Sequence, residues 1–495
     1  MLKKIQQANV LLTLAVFLAL AIRVALIFIR KYPSGDEIWA YYLIQTSFKE
    51  IWLESLSVWH APFYFLLFHF LTLIFGNLSI ISLRFVSLFF GILASLGIWY
   101  LGSLVFGKKA GLIAFYISLF LPSFIWPSIF ARYYSFLMLL MILANLVFIS
   151  FIKKGEVKYL VLLVLLSTVG IYTHYYFFLL DISFAAFLIL TKKYRGLFKK
   201  WVFSLILILI SMSPGLFYFF SLPKIEFGSE YFTNFLKIPA LLATNLTSFE
   251  VLLYLFYSGN FLLSAIFIAG FSLVSIALIV SCLRSSKKDL KMLFLLMIIV
   301  PPILATLFAY LIKPLLALSS LQIFVPALII VLGKGILVDF KKTKILTFTF
   351  VLAIAISSIF FFQSSLTYKD VPEDFKTVLS EYKVGDIVIH SHIYSFIIGR
   401  YYLGENVNFG IASAFNATPQ TEKALGYKII SPAAVLGFGE RIWFIDPPYD
   451  FRPEIQETRT IFSNNYVRSK AEISSNRKQH FQENQFDVYL YEKNE

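Results

Sequence analysis

Apolar residues come in long blocks along this chain, and polar residues are confined to the gaps between them. A helix needs about 17–25 apolar residues to cross hydrocarbon, and reading blocks of that length predicts roughly eleven spans. Their centres fall near residues 20, 95, 117, 142, 167, 184, 211, 272, 301, 325 and 353. Residues 61–76 form a shorter apolar block after Pro62, expected as an interfacial or re-entrant helix rather than a full crossing. Beyond residue 362 the pattern changes. The runs Asp386–His390, Arg441–Ile445 and Phe486–Tyr491 read as strands among helical and loop segments, and predict a small α/β domain with one sheet. The expected fold is mainly α. A polytopic transmembrane helical bundle covers 1–362, with an acidic first outer loop at 32–82, and a soluble α/β domain covers 363–495.

Composition supports that division. The chain is 59% hydrophobic and only 14% charged, with a mean hydropathy of +0.78, which points to a polytopic membrane protein. The net charge of +15 would suit a nucleic-acid partner, but its distribution argues against one. Residues 363–495 hold 14 basic and 17 acidic side chains, so the excess lies in the membrane part. There it falls at every second connection, as at Lys108-Lys109, Lys153-Lys154 and Lys192-Lys193. By the positive-inside rule this places the N-terminus in the cytoplasm and the 32–82 loop and the tail outside, in a multi-pass plasma-membrane protein. The first apolar run, about residues 9–29, reads as a retained anchor rather than a cleaved signal. Cys282 is the only cysteine, so no internal disulfide forms. No Walker A motif, Gly-rich dinucleotide loop or zinc-spaced Cys/His set is evident.

Candidate chemistry concentrates in the first outer loop. Acidic side chains are expensive in hydrocarbon, so Asp36 and Glu37 are expected at the water interface, just past the first span. A positioned carboxylate there is a candidate general base. Ser34-Gly-Asp-Glu37 equally fits a capping box, with Glu37 at N3 and Asp36 favouring the helix start. The two readings are compatible, because a capped helix holds Asp36 rigid. His60 precedes Pro62, which suits the first position of a helix. Arg84, Arg132 and His174 lie at outer span ends, where they either snorkel or gather to bind an anion. Tyr64, Tyr175 and Gln322 complete the expected substrate-binding set. The outer aromatics Trp39, Tyr41, Tyr42, Trp52 and Trp59 suit sugar stacking or, more simply, a membrane interface. No cofactor is required by the sequence. A divalent metal is left open, since Asp36, Glu37, Glu226, Glu230 and His174 would form a site only if folding united them.

Several segments then match one pattern in order. They are Asp36-Glu37, His60-Ala-Pro62-Phe-Tyr64, Leu83-Arg84-Phe-Val-Ser87, Phe106-Gly107 through Gly111, Ala131-Arg132-Tyr-Tyr-Ser135, Thr173-His174-Tyr175-Tyr176 and Val325-Pro326-Ala327. The chain resembles the GT-C superfamily of integral membrane glycosyltransferases. More narrowly, it resembles the protein O-mannosyltransferase and lipid A aminoarabinose transferase branch, families 39 and 83. The resemblance is best over about residues 30–180. It implies transfer of a sugar from a polyprenyl-phosphate carrier to a lipid, glycan or protein acceptor on the outer face, usually with inversion. It implies Asp36 as base or acceptor-positioning group, and His60, Arg84 and Arg132 as the carrier-phosphate pocket. Relatives often have Lys or a second Pro near His60-Ala61 and Arg about where Gln322 stands. The competing class is a transporter or lipid flippase, which would place its ionisable groups near mid-membrane; Arg23 and Asp181 are the main intramembrane charges.

Overall fold

The computed structural model describes residues 2–30, 33–58, 60–221, 261–285, 289–311, 324–342, 344–367, 373–415, 419–446, 452–472 and 487–493. The helices preceding the tail run α1 (Leu2–Ile29), α2 (Gly35–Leu43), α3 (Phe48–Ser57), α4 (Phe63–Phe75), α5 (Ile80–Phe106), α6 (Lys108–Phe120), α7 (Pro122–Ile129) and α8 (Tyr134–Lys154). They continue as α9 (Val157–Thr173), α10 (Phe178–Leu190), α11 (Phe198–Ser221), α12 (Phe261–Ser285), α13 (Leu290–Leu311), α14 (Val325–Lys342) and α15 (Ile345–Thr367). The tail follows as α16 (Glu373–Glu381), β1 (Ile387–His392), α17 (Ile393–Leu403), β2 (Asn408–Phe415), α18 (Pro419–Ala424), β3 (Arg441–Asp446), α19 (Pro453–Asn465), β4 (Tyr466–Glu472) and β5 (Asp487–Lys493). Two compact units result. One is drawn from Met1–Arg30, Ile81–Pro214 and Gly228–Thr367, the other from Lys31–Ile80, Gly215–Phe227 and Tyr368–Glu495.

The first unit is the helical bundle, and every expected span centre falls on one of its helices. Among the described residues five helices are long and apolar enough to cross a membrane alone, and a sixth if the bent α6–α7 pair counts as one. That pair turns by 60° at Leu121-Pro122. Pro122 has no N–H to give to Ser118 O, so the break strands carbonyls in an apolar interior. Arg23 of α1 meets this need. It is buried, and its guanidinium donates to Ser118 O at 3.1 Å, Leu119 O at 2.8 Å and Ser128 Oγ at 3.0 Å. Asp181 of α10 likewise accepts from Ser167 Oγ of α9 at 2.7 Å. The intramembrane charges on which a transporter would draw therefore serve as helix-to-helix bonds. Small residues bring backbones together elsewhere: a Cβ on Gly333 of α14 would lie 2.8 Å from Ala114 N of α6.

The second unit contains a five-stranded sheet in the order β2-β1-β3-β5-β4. Strand β1 runs parallel to β2 and β3, and β5 runs antiparallel to β3 and β4. Ile389, Ile442, Phe444, Phe462 and Tyr491 belong to its apolar core. Asp386, ahead of β1, locks the neighbouring strand. It accepts from Trp443 Nε1 at 2.9 Å, Arg441 Nε at 3.0 Å and Lys383 N at 3.0 Å.

Helices α2 and α3 pack onto this domain. The Arg400 guanidinium of α17 sits 4.3 Å above the Tyr42 ring of α2, and Tyr401 meets Tyr41 edge to face at 6.0 Å. Lys423 of α18 lies 4.0 Å from Glu50 of α3. The 31–80 segment thus shares a compact unit with the tail. The first two helices of this segment, α2 and α3, have 9 and 10 residues, too short to persist alone, and they bury their inner faces on α17 and α18.

Asp386→Ala would leave a buried indole N–H without its acceptor and leave Arg441 with Glu492 alone of its two carboxylates, a loss of roughly 3 kcal/mol. The expected outcome is a lower thermal midpoint for the purified protein. An unchanged midpoint would contradict the role given to Asp386.

Candidate active site

The start of α2 is built as the capping box that the sequence suggested. Glu37 N donates to Ser34 Oγ at 3.2 Å, and Ser34 N donates back to Glu37 Oε2 at 3.1 Å. Glu37 is fully buried, so its carboxylate holds the helix start. Asp36, its neighbour, is only half-buried and sits in the first helical turn. Of this pair, Glu37 makes the cap, and Asp36 is half-buried beside it.

His60 and Tyr64 belong to the same unit. The half-buried His60 ring lies 5.2 Å from Trp39, which is one turn along α2 from Asp36. Its backbone N–H donates to Ser55 O at 2.8 Å. Pro62 is the residue before α4 rather than its first residue, one position earlier than expected. Its carbonyl accepts from Leu66 N at 3.0 Å, so the proline still opens the helix. Tyr64 is buried, with its ring 4.3 Å from Phe68 and 5.6 Å from Phe65. It reads as a packing residue as much as a binding one. Trp39 is also buried and packs edge-on to Phe65 at 5.0 Å.

The cations belong to the bundle. Arg84, near the start of α5, is buried and donates through Nη1 to Arg30 O at 2.6 Å and Ile27 O at 3.2 Å. These are the last carbonyls of α1, where a cation also suits the helix dipole. Arg30, which sequence reasoning did not single out, is buried as well and lies 5.9 Å from the Phe130 ring. Its signal was present: Arg30 closes the first apolar run, directly before Lys31. Arg132 follows the turn after Phe130, is buried, and stands 5.5 Å from the Tyr133 ring. Tyr133 in turn lies 5.1 Å from His174, and Arg132 is within electrostatic reach of that imidazole.

His174 ends α9 and opens the short turn Tyr175–Phe177. Its Nδ1 accepts from Tyr176 N at 3.1 Å. That bond assigns the hydrogen to Nε2, which leaves a ring N–H as a donor on a half-buried side chain. Tyr175 is half-buried beside it. The fold therefore brings Arg132, His174 and Tyr175 together in one unit, and places Asp36, Glu37, His60 and Tyr64 in the other. Gln322, Glu226, Glu230 and Trp59 lie outside the described residues. Among the described residues no three His, Cys, Asp or Glu side chains converge as a metal site requires.

A family model described as dolichyl-phosphate-mannose-protein mannosyltransferase matches residues 59–218. The fold is similar to that of ArnT from Cupriavidus metallidurans in the apo state. The TM-score is 0.58 at 11% identity, covering 98% of this chain and 98% of that one. ArnT bound to undecaprenyl phosphate gives 0.56 at 12% identity, again over 98% of each chain. The arabinofuranosyltransferase AftD from Mycobacteria gives 0.52 at 11% identity, over 97% of this chain and 40% of that one. No curated protein matches the chain by sequence. The architecture similar to ArnT is a helical bundle accompanied by a small sheet domain. The similarity to these solved structures is one of fold, and the family model covers residues 59–218 of the 495.

Arg84→Ala would unbind two carbonyls at the end of α1, at a cost of about 1–3 kcal/mol. The thermal midpoint of the purified protein should fall, whereas a role confined to substrate would leave it unchanged.

Proposed function

We propose that the protein moves a sugar from a polyprenyl-phosphate carrier to a hydroxyl or amine acceptor on the extracytoplasmic side of the plasma membrane. The observation that supports it most is Asp36: a half-buried carboxylate outside the spans, on a helix fixed by a capping box, in a chain with the GT-C fold. In this reading Asp36 takes the proton from the acceptor. The acceptor atom then attacks the anomeric carbon, and the bond from that carbon to the carrier phosphate breaks. The electron pair leaves with polyprenyl phosphate, and one in-line displacement inverts the centre. Phosphate is a good leaving group, so positioning, a base and charge stabilisation suffice.

Arg132 and the Nε2–H of His174 are assigned to the carrier phosphate. A guanidinium matches phosphate oxygens with paired donors, and a ring N–H adds a third. His60, Tyr64, Arg84, Tyr175 and Gln322 are assigned to substrate binding, with Glu37 supporting Asp36 through the cap. Basic clusters at alternate connections support a cytoplasmic N-terminus. The Cupriavidus protein crystallised with undecaprenyl phosphate supports a carrier of that class.

The test is transfer by purified protein in lipid nanodiscs, across a panel of carrier-linked sugars. Asp36→Asn should lower turnover by about 10²–10⁴-fold, the contribution of a positioned base. Parent-like turnover would remove Asp36 as the base. Failure of the parent to release carrier phosphate from any donor would overturn the proposal.

A further inference from the structure

Asp181 and Asn145 are fully buried in the helical bundle, and each keeps one oxygen out of any hydrogen bond. Asp181 Oδ2 and Asn145 Oδ1 have no hydrogen-bond partner among the described residues. The Asn145 amide is held in this orientation, because its Nδ2 donates to Met141 O at 2.8 Å. Buried oxygens of this kind call for a donor or a cation. Three placements put the two side chains in one layer. Ser167 Oγ of α9 donates to Asp181 Oδ1 of α10 at 2.7 Å. The rings of Phe148 and Phe184 stack at 4.0 Å and 9°, which joins α8 to α10. Asn145 and Asp181 each stand three residues before one of those rings, a turn away on the same helix face. Counting from the turn between α8 and α9 gives the same level. Asn145 lies nine residues before Lys154, the end of α8, and Ser167 lies ten residues after Val157, the start of α9. At the rise of an α-helix both are about 14–15 Å from that turn.

Charge decides what fits between these groups. Asp181 stands in the first turn of α10, where the helix dipole favours a negative charge, and the Ser167 hydroxyl favours it further. A carboxylate in an apolar interior requires a positive charge beside it. Among the described residues Asp181 forms no ion pair. Asn145 Oδ1 and the lone pairs of Ser167 Oγ complete a trio of hard oxygens: carboxylate, amide carbonyl and hydroxyl. One carboxylate balances one charge, whereas a divalent ion would leave the interior charged.

We propose that Asp181, Asn145 and Ser167 form a binding site for a monovalent alkali cation between α8, α9 and α10. The bound ion ties the three helices together beneath the turn that carries His174 and Tyr175, which joins α9 to α10. No step of the transfer reading uses this site, and its test needs no substrate.

The test uses the full chain in phosphatidylcholine nanodiscs at fixed pH, in chloride salts of sodium, potassium and choline at equal ionic strength. The thermal midpoint of the parent should rise with sodium or potassium concentration and stay flat with choline, because an ion bound only by the folded state stabilises it by mass action. The radioactive form of the ion that raises the midpoint should bind saturably to the parent. Asp181→Asn keeps an acceptor for Ser167 and offers its own N–H to Asn145. It should fold with a midpoint indifferent to the cation and bind no ion. Asn145→Ala removes one ligand and should raise the ion concentration for half the effect about tenfold. A parent midpoint identical in sodium, potassium and choline would overturn the proposal and leave a proton or a water between the two oxygens. An Asp181→Asn protein with the parent's cation dependence would overturn it as well.

Discussion

A polar group inside hydrocarbon has no water to turn to, and that constraint shapes this protein more than any other. A proline break in α6–α7 would be intolerable without donors for the carbonyls it frees, and Arg23 supplies three hydrogen bonds there. The end of α1 poses the same problem, and Arg84 answers it. Asp181 answers it in reverse, as an acceptor for a buried serine. Charges that look functional on a hydropathy plot are thus explained first by backbone and side-chain accounting. The chemistry proposed here is assigned instead to Asp36, half-buried in the first turn of α2, and to the Nε2–H of His174.

Much of this was legible in the sequence, for physical reasons. The span centres are visible because hydrocarbon selects composition over about twenty residues, which no local effect can mask. The capping box at Ser34–Glu37 is legible because its donors and acceptors lie three residues apart. Three strands of the tail sheet were also foreseen, and these are its inner strands β1, β3 and β5. The two that were missed, β2 and β4, are its edges. Edge strands are kept polar or poor in bulky side chains to discourage pairing, as Asn-Phe-Gly-Ile-Ala-Ser and Tyr-Val-Arg-Ser-Lys show, so their alternation is weak. Bonds distant along the chain left no local trace. Nothing around Tyr42 announces Arg400, and nothing around Arg84 announces the carbonyl of Arg30.

The pairing of α2 and α3 with the tail gives the C-terminal domain a purpose beyond a soluble appendage. Helices of nine and ten residues do not hold a fixed orientation by themselves. Stacking of Arg400 on Tyr42, the Tyr41–Tyr401 contact and the Glu50–Lys423 pair hold them instead. A base contributes to catalysis only when its position is fixed to a fraction of an ångström, and rigid support from a folded domain is the means available here. The fold that carries this arrangement is similar to that of ArnT, and residues 59–218 match the mannosyltransferase family model.

The most direct measurement is an experimental structure of the protein in nanodiscs with a polyprenyl monophosphate bound. The account predicts phosphate oxygens within hydrogen-bond distance of the Arg132 guanidinium and of His174 Nε2, about 2.7–3.2 Å. A phosphate held elsewhere, with Arg132 and His174 retaining only their protein contacts, would contradict it.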